Sequence, residues 1–343
     1  MFAGESMRAV CLHEQGDIDK LTLDENFPDP APGEGQVVIR VKATSLNYHD
    51  VFTCRGMPGI KVPMPMIIGL DIAGEIAEIG AGVSGWAVGE AVLVNPLDPA
   101  APQNGLMGEM IHGGAAEYCV VDATRLIRIP DGCGFEQAAA LPVAYGTAHR
   151  MMFTNGGVTE GEKVLILGAS GGVGSSCVLL AKMIGCEVVA CGSTEEKLKA
   201  LTAWGADHVI DYKEKDFVKE IWNLYTKPHR RTFDGGVDVV INFTGGDTWV
   251  PSLRVLRRGG RLLTCGATAG FDPKTDLRYV WTYELKILGS NSWAPEDLER
   301  LMELIADGRL KPVIDTVLPL DRTAEGVRQL AEREVIGKII ITP

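Results

Sequence analysis

The sequence predicts a two-domain α/β protein in which both ends of the chain form a β-rich domain and the middle forms a doubly wound parallel sheet. Three observations carry that prediction. Short β-branched runs punctuated by glycine and proline fill residues 7–131, strands alternating with helical periods replace them after Phe135, and a glycine-rich turn follows the first strand of that alternation.

In the first region, Gln36-Val37-Val38-Ile39-Arg40-Val41-Lys42, residues 69–82 and Gly89-Glu90-Ala91-Val92-Leu93-Val94-Asn95 read as strands of a barrel-like domain. In the second, Lys163-Val164-Leu165-Ile166-Leu167 is a buried strand and residues 172–184 a helix. Further strands are expected at 187–191, 208–211, 237–243, 261–265 and 285–289, which makes the six of a doubly wound nucleotide-binding sheet. The tail changes character again, with a helix at 295–307, a strand at 313–320, a helix at 323–332 and a strand at 338–342, and is expected to return to the first domain. The predicted division is 1–134 with 292–343 against 135–291.

Composition limits the functions open to such a chain. Of 343 residues, 46% are hydrophobic and 23% charged, enough for two cores, and 41 glycines and 18 prolines are dispersed rather than clustered. Lys and Arg total 33 against 45 Asp and Glu, so the net charge is −12 and no basic run is present, which argues against a nucleic-acid partner. Apolar runs are strand-sized, and Met1-Phe2-Ala3-Gly4-Glu5-Ser6 carries no targeting signature, so no membrane association is expected and the expected compartment is the cytoplasm. The eight cysteines lie far apart without a Cys-x-x-Cys pair, as reduced core thiols do.

The turn Gly168-Ala169-Ser170-Gly171-Gly172-Val173-Gly174 joins a buried strand to a helix, where small residues let backbone N–H groups approach a pyrophosphate closely. Ala169, Ser170, Gly171, Gly172, Val173 and Gly174 are therefore candidate cofactor residues. The second strand ends Cys191-Gly192-Ser193-Thr194-Glu195-Glu196-Lys197, with no acid at the place where one would bond an adenine ribose. A 2′-phosphate is then not repelled, Ser193 and Lys197 are candidates to bind it, and NADPH is the expected cofactor. Alternatively, Ser193 and Glu196 form a helix capping box and Lys197 is a solvated helix residue.

With these residues in view, the chain resembles the medium-chain dehydrogenase/reductase superfamily from about Met7 to its end. That resemblance implies a GroES-like catalytic domain beside a Rossmann domain. Zinc alcohol dehydrogenases of the superfamily hold a metal on three side chains, and the matching positions here are Asn47, Leu70 and Val143; residues 95–105, where a structural-zinc lobe would lie, contain no cysteine. The resemblance thus implies a zinc-free member, although Cys54, His49 and His112 leave another metal site open. Leu46-Asn47-Tyr48-His49-Asp50-Val51, Leu277-Arg278-Tyr279-Val280-Trp281 and Gly289-Ser290-Asn291 look most like the enoyl-CoA reductase branch that includes crotonyl-CoA carboxylase/reductases. In carboxylating members the CO2 pocket matches at Asn47 and Glu117 and departs at Ala116 and Asn291, so plain reduction is the expected reaction.

The resemblance implies further roles. Arg278 and Tyr279 would lie along CoA, and Thr147, Tyr212, Phe243 and Ala267 near the cofactor. Arg278 and Tyr279 read equally as a loop charge and a packed ring, Phe243 as core and Tyr212 as a strand-end aromatic. Pairing into a homodimer or homotetramer is expected through Leu285-Lys286-Ile287-Leu288.

An enoyl thioester accepts hydride at its β-carbon without a metal if the developing enolate meets preorganised donors. The candidates are Asn47 as an orienting amide, Tyr48 or solvent as proton source because Met57 stands where related reductases carry a tyrosine, Glu117 as an acid/base group or a structural ion pair, and Asn291. Asn47 also reads as a turn residue bonded to local backbone. An NADPH quinone or alkenal reductase, a reductive carboxylase and a non-catalytic nucleotide-binding protein remain the competing readings.

Overall fold

The computed structural model describes residues 6–343, so the reading of the first five residues lies outside the described residues. The chain divides into two compact units: one runs to Ala144 and resumes at Ala294–Pro343, and the other is Tyr145–Trp293. The division thus falls ten residues beyond the change of pattern at Phe135, because helix Phe135–Ala139 packs on strands Gln36–Leu46 and Asp71–Ile79 of the first unit.

The first unit is the β-rich one. Its main sheet runs Ile314–Pro319, Lys338–Thr342, Gln36–Leu46, Asp71–Ile79, Ala91–Val94, Leu126–Arg128, with Tyr118–Asp122 also paired to Gln36–Leu46. The tail supplies the first two strands of this order. Ile339 faces Leu46 and Ile340 faces Ser45, while Ser45 on its other side faces Asp71. A smaller sheet of Leu21–Pro28, Ser6–Leu12 and Met66–Ile67 closes over a core that includes Leu12, Leu46, Ile68, Ile339 and Ile341.

The second unit is a six-stranded parallel sheet in the order His208–Asp211, Glu187–Gly192, Lys163–Ile166, Val237–Ile241, Leu256–Thr264, Lys286–Gly289. The two strands next to the first one lie on opposite sides of it, which places the topological switch point beside the end of Lys163–Ile166. Val164, Leu165 and Ile166 are fully buried, as a continuous apolar run in a central parallel strand must be. Strand Leu256–Thr264 starts five residues earlier than the sequence pattern suggests, with a register irregularity opposite Val237–Val239. Among the described residues no helix is long and apolar enough to cross a membrane, and all eight cysteines are free.

Candidate active site

Only Asn47 separates strand Gln36–Leu46 from helix Tyr48–Arg55, so the end of a buried strand is coupled directly to a helix start. Asn47 is extended, and its N–H donates to Asp50 Oδ2 at 2.7 Å, the acidic third residue answering the helix start. Asp50 Oδ1 accepts the Gly69 N–H at 2.9 Å and so ties the following loop to that helix. Burial pushes the Asp50 carboxyl up to about 6, against the two N–H donors that favour its charged form.

Beneath the helix lies a buried ionic network. Lys338 is 2% exposed and Asp71 fully buried. The Lys338 ammonium donates to Asn47 Oδ1 at 2.5 Å and to Leu46 O at 2.8 Å, and stands 3.5 Å from Asp71 Oδ2. Asp71 also accepts from Ser45 Oγ at 2.7 Å, Asn47 Nδ2 at 2.8 Å and the Val143 N–H at 3.0 Å. All of these partners except Val143, which lies in the helical run over residues 141–155, come from the strand pairing of Lys338–Thr342, Gln36–Leu46 and Asp71–Ile79 or from the residue just beyond it. Burial lowers the Lys338 pKa and the Asp71 charge opposes that shift. Neither charge is stranded, which is what makes such a buried pair tolerable.

This geometry refines the role of Asn47. Its amide donates to Asp71 and, at 3.4 Å, to Ser45 O, and accepts from Lys338. It is thus more than a turn residue bonded to local backbone, and its amide already has partners within the protein. Tyr48 is half-buried, with its ring edge-to-face on Phe52 at 5.1 Å. Glu117 forms the ion pair that was one of its two readings: Arg8 donates to it from Nε at 3.0 Å and from its backbone N–H at 2.9 Å, which engages both carboxylate oxygens. His49 pairs with Glu109, Nε2 to Oε2 at 2.5 Å.

In the second unit the glycine-rich turn has the form a phosphate site needs. Gly168 sits at φ +63, and a Cβ on Gly174 would stand 2.2 Å from Gly168 O, so only glycine lets helix Gly172–Met183 pack this closely on the turn. No side chain caps that helix, whose Ncap is Gly171, so its first-turn N–H groups are left for a ligand. Ala169 and Ser170 are buried beneath it, and Gly171, Gly172 and Val173 are partly exposed. Phe243 lies beside Gly168 and Ala267 beside Gly245, both beyond strand ends. The Tyr212 N–H donates to Gly192 O at 3.1 Å, which puts Tyr212, 47% exposed, next to Ser193 at the carboxyl edge of the sheet. Thr147 is 8% exposed, inside a helical run over residues 141–155 that contains wide i→i+5 turns.

Two expectations around the second strand need correction. The Ncap of helix Glu195–Ala203 is Thr194, whose hydroxyl accepts the Lys197 N–H at 3.3 Å, so Ser193 is not the cap and remains outside the helix. Lys197 is 8% exposed, hence not a solvated helix residue, because it lies on the face that packs toward the sheet. Arg278 is bound bidentately by Asp276, at 2.9 and 2.7 Å, with its side chain 78% exposed. Tyr279 stacks on Tyr283 at 6.1 Å and packs against the core, the packed-ring reading of that residue. Asn291 is exposed, beyond strand Lys286–Gly289, and belongs to the second unit, whereas Asn47 and Glu117 belong to the first.

Asp71 and Lys338 were not singled out from the sequence. The available signals were an acid opening the strand Asp71–Ile79 and a lysine opening the otherwise apolar Lys338-Ile339-Ile340-Ile341. Nothing in either run reveals that the two meet across 267 residues of chain.

Comparison with known proteins agrees with this architecture. Residues 33–131 match the family described as Alcohol dehydrogenase GroES-like domain, and residues 172–307 match the family described as Zinc-binding dehydrogenase. The chain is 31% identical over 337 residues to an acryloyl-coenzyme A reductase of Sulfurisphaera tokodaii, covering 93% of this chain and 96% of that protein. Among solved structures it is similar to an NAD-dependent alcohol dehydrogenase, with a TM-score of 0.89 and 34% identity over 98% of this chain and 100% of that one. It is also similar to the 2-octenoyl-CoA carboxylase reductase CinF in complex with NADP and 2-octenoyl-CoA, with a TM-score of 0.85 and 27% identity over 99% of this chain and 88% of that one. The chain belongs to the medium-chain dehydrogenase/reductase superfamily, a group of nicotinamide-dependent oxidoreductases. The zinc in one family description does not fit these residues. Leu70 and Val143 bring no donor atom, the Asn47 amide has an ammonium on its oxygen, and no group of three or more His, Cys, Asp or Glu side chains among the described residues could hold a metal ion.

Proposed function

We propose that this protein reduces the activated C=C bond of a 2-enoyl-CoA thioester to the saturated acyl-CoA, with NADPH as reductant and without a metal ion. The observation that carries the reading is the closed Lys338–Asn47–Asp71 network around Asn47, the residue that the resemblance matches to a metal-ligand position. Alcohol oxidation needs a group that lowers the hydroxyl pKa, and that is the task a catalytic metal performs. Reduction of a conjugated thioester has no such requirement, because the substrate's own carbonyl accepts the electrons. The acyl-CoA names of the similar acryloyl-CoA reductase and carboxylase reductase support the same substrate class.

The glycine turn fits the cofactor: the uncapped helix start at residues 172–174 would take the pyrophosphate, Ser193 at the acid-free strand end the 2′-phosphate, and Tyr212, Phe243, Ala267 and Thr147 would flank the rest. When bound, the cofactor supplies the hydride. The helix start at Asn47, held in place by Asp50 and Lys338, would orient the thioester. Arg278, exposed beyond its Asp276 partner, is available to exchange that carboxylate for a CoA phosphate. Glu117, one of the two matches to a CO2 pocket, is tied to Arg8, and Ala116, one of the two departures, is fully buried, which favours plain reduction over CO2 capture. Strand Lys286–Gly289, at the edge of its sheet with Ile287 39% exposed, is the proposed surface for pairing with a second copy.

The test compares NADPH oxidation with crotonyl-CoA, its N-acetylcysteamine thioester and a benzoquinone. Preference for the full CoA thioester supports the reading. Efficient quinone turnover with no enoyl thioester turnover replaces it by the quinone reductase.

A further inference from the structure

The site described so far lacks an assigned proton source for the α-carbon. Tyr48 has its ring against Phe52 and the neighbouring core, and Glu117 is held by Arg8. A further pair in the first unit engages the same helix. His49, the second residue of helix Tyr48–Arg55, directs Nε2 to Glu109 Oε2 at 2.5 Å. The Glu109 side chain is 8% exposed and the His49 side chain 22%.

The chain is shaped to bring the two together. Gly108, at φ +71, packs so closely on Gly69 that a Cβ there would stand 3.1 Å from Gly69 N, and Gly69 is the residue whose N–H is bound to Asp50. The turn continues with Gly108 N–H on Ile111 O at 2.7 Å and Met110 N–H on Leu106 O at 2.9 Å. Glu109, between them, is turned inward under the helix start. Among the described residues its carboxylate has no hydrogen-bond partner except His49, and His49 has none at Nδ1.

A buried carboxylate on one imidazole nitrogen fixes the orientation of the ring and so of the other nitrogen. The remaining N–H is then a donor of defined direction, set two residues beyond Asn47. We propose that His49 is the proton donor of the reduction and that Glu109 is its positioning residue. This rests on the enoyl-thioester reading above. In the step, hydride adds to the β-carbon, the C=C electron pair moves to the α-carbon, His49 Nδ1–H gives its proton there, and water returns a proton to the imidazole. The sum is one hydride and one proton added across the double bond.

The experiment is reduction of crotonyl-CoA in D2O by the wild-type protein, His49→Gln and Glu109→Gln, with the α-deuterium configuration read by NMR and NADPH affinity by fluorescence. Wild type is expected to place α-deuterium on one face. His49→Gln is expected to lose about 100-fold or more in kcat, to deuterate both faces, to bind NADPH as before, and to recover rate when free imidazole is added. Glu109→Gln is expected to show a smaller loss with partial scrambling, and its unchanged circular dichroism separates that from misfolding. Full rate and one-sided deuteration in His49→Gln overturn the proposal, as does scrambling in Tyr48→Phe but not in His49→Gln. A wild-type protein inactive on every enoyl thioester overturns the reading beneath it, and the proposal falls with it.

Discussion

Lys338 and Asn47 lie 291 positions apart in sequence, yet the ammonium of one stands 2.5 Å from the amide oxygen of the other, fully inside the protein. The last strand therefore fixes the residue that opens the candidate catalytic helix. The ammonium also stands 3.5 Å from Asp71 Oδ2 and offsets the charge of that buried carboxylate.

Removing that cation leaves a buried carboxylate uncompensated. Lys338→Met is expected to destabilise the protein by about 3–5 kcal/mol in urea unfolding. Adding Asp71→Asn should restore much of the loss, because the Asn side chain still bonds Ser45 and Asn47. A single variant as stable as wild type would show that the pair contributes nothing.

Gly174→Ala tests the turn in the second unit. With Gly168 O only 2.2 Å from the added methyl, the helix must move off the strand end. The expected outcome is an NADPH Kd raised about tenfold or more, about 1.4 kcal/mol, measured by fluorescence titration. Gly171→Ala, whose nearest neighbour is 3.8 Å from the new atom, should be the milder change.

In the proposed reading, cofactor choice is set at Ser193. Strand Glu187–Gly192 ends without an acid, and Ser193 lies before the Thr194 cap, free of helix duties. Ser193→Asp brings a carboxylate to the ribose and should shift the ratio of kcat/KM for NADPH over NADH toward NADH by about tenfold or more. An unchanged ratio would place 2′-phosphate recognition elsewhere.

Asp50 gives a pH dependence whose sign can be worked out. Its carboxyl is raised to about 6 in the fold, chiefly by burial, from about 3.9 in the unfolded chain. A raised carboxylate favours the folded state fully below the unfolded pKa and loses that contribution as pH climbs through about 6. The loss amounts to about 3 kcal/mol. Asp50→Asn, which cannot ionise, should gain stability relative to wild type by that order between pH 4 and 7 in urea unfolding. Parallel curves would contradict the shift.

Most of the fold is legible in the sequence because it is written in local pattern. The buried run Val164-Leu165-Ile166, the turn ending at Gly174 and the apolar tail strand each carry their own signal, and the structure places them within a residue or two of expectation. The end of the first unit is less legible. Phe135–Ala139 has helical spacing like that which follows it, and only its packing on Gln36–Leu46 assigns it. The interior of the site is less legible still. Asp71 meets Lys338 and Ser45 through sheet pairing and Val143 at the helical run over residues 141–155, and Glu109 meets His49 through a turn that Gly108 closes, and single-chain spacing records none of these events. Lys197 shows the reverse case: the sequence offers it as a 2′-phosphate ligand or as a solvated helix residue, and the helix turns it inward.

The proposed reaction sends hydride to the β-carbon of an enoyl thioester. It is tested most directly by incubating the protein with crotonyl-CoA and NADPH deuterated at nicotinamide C4, with and without bicarbonate, and analysing the acyl product by mass spectrometry and NMR. The expected product is butyryl-CoA carrying the deuterium at the β-carbon, unchanged by bicarbonate. A carboxylated product would contradict plain reduction, and deuterium found only in a hydroquinone when a quinone is supplied, with crotonyl-CoA recovered intact, would contradict the substrate class.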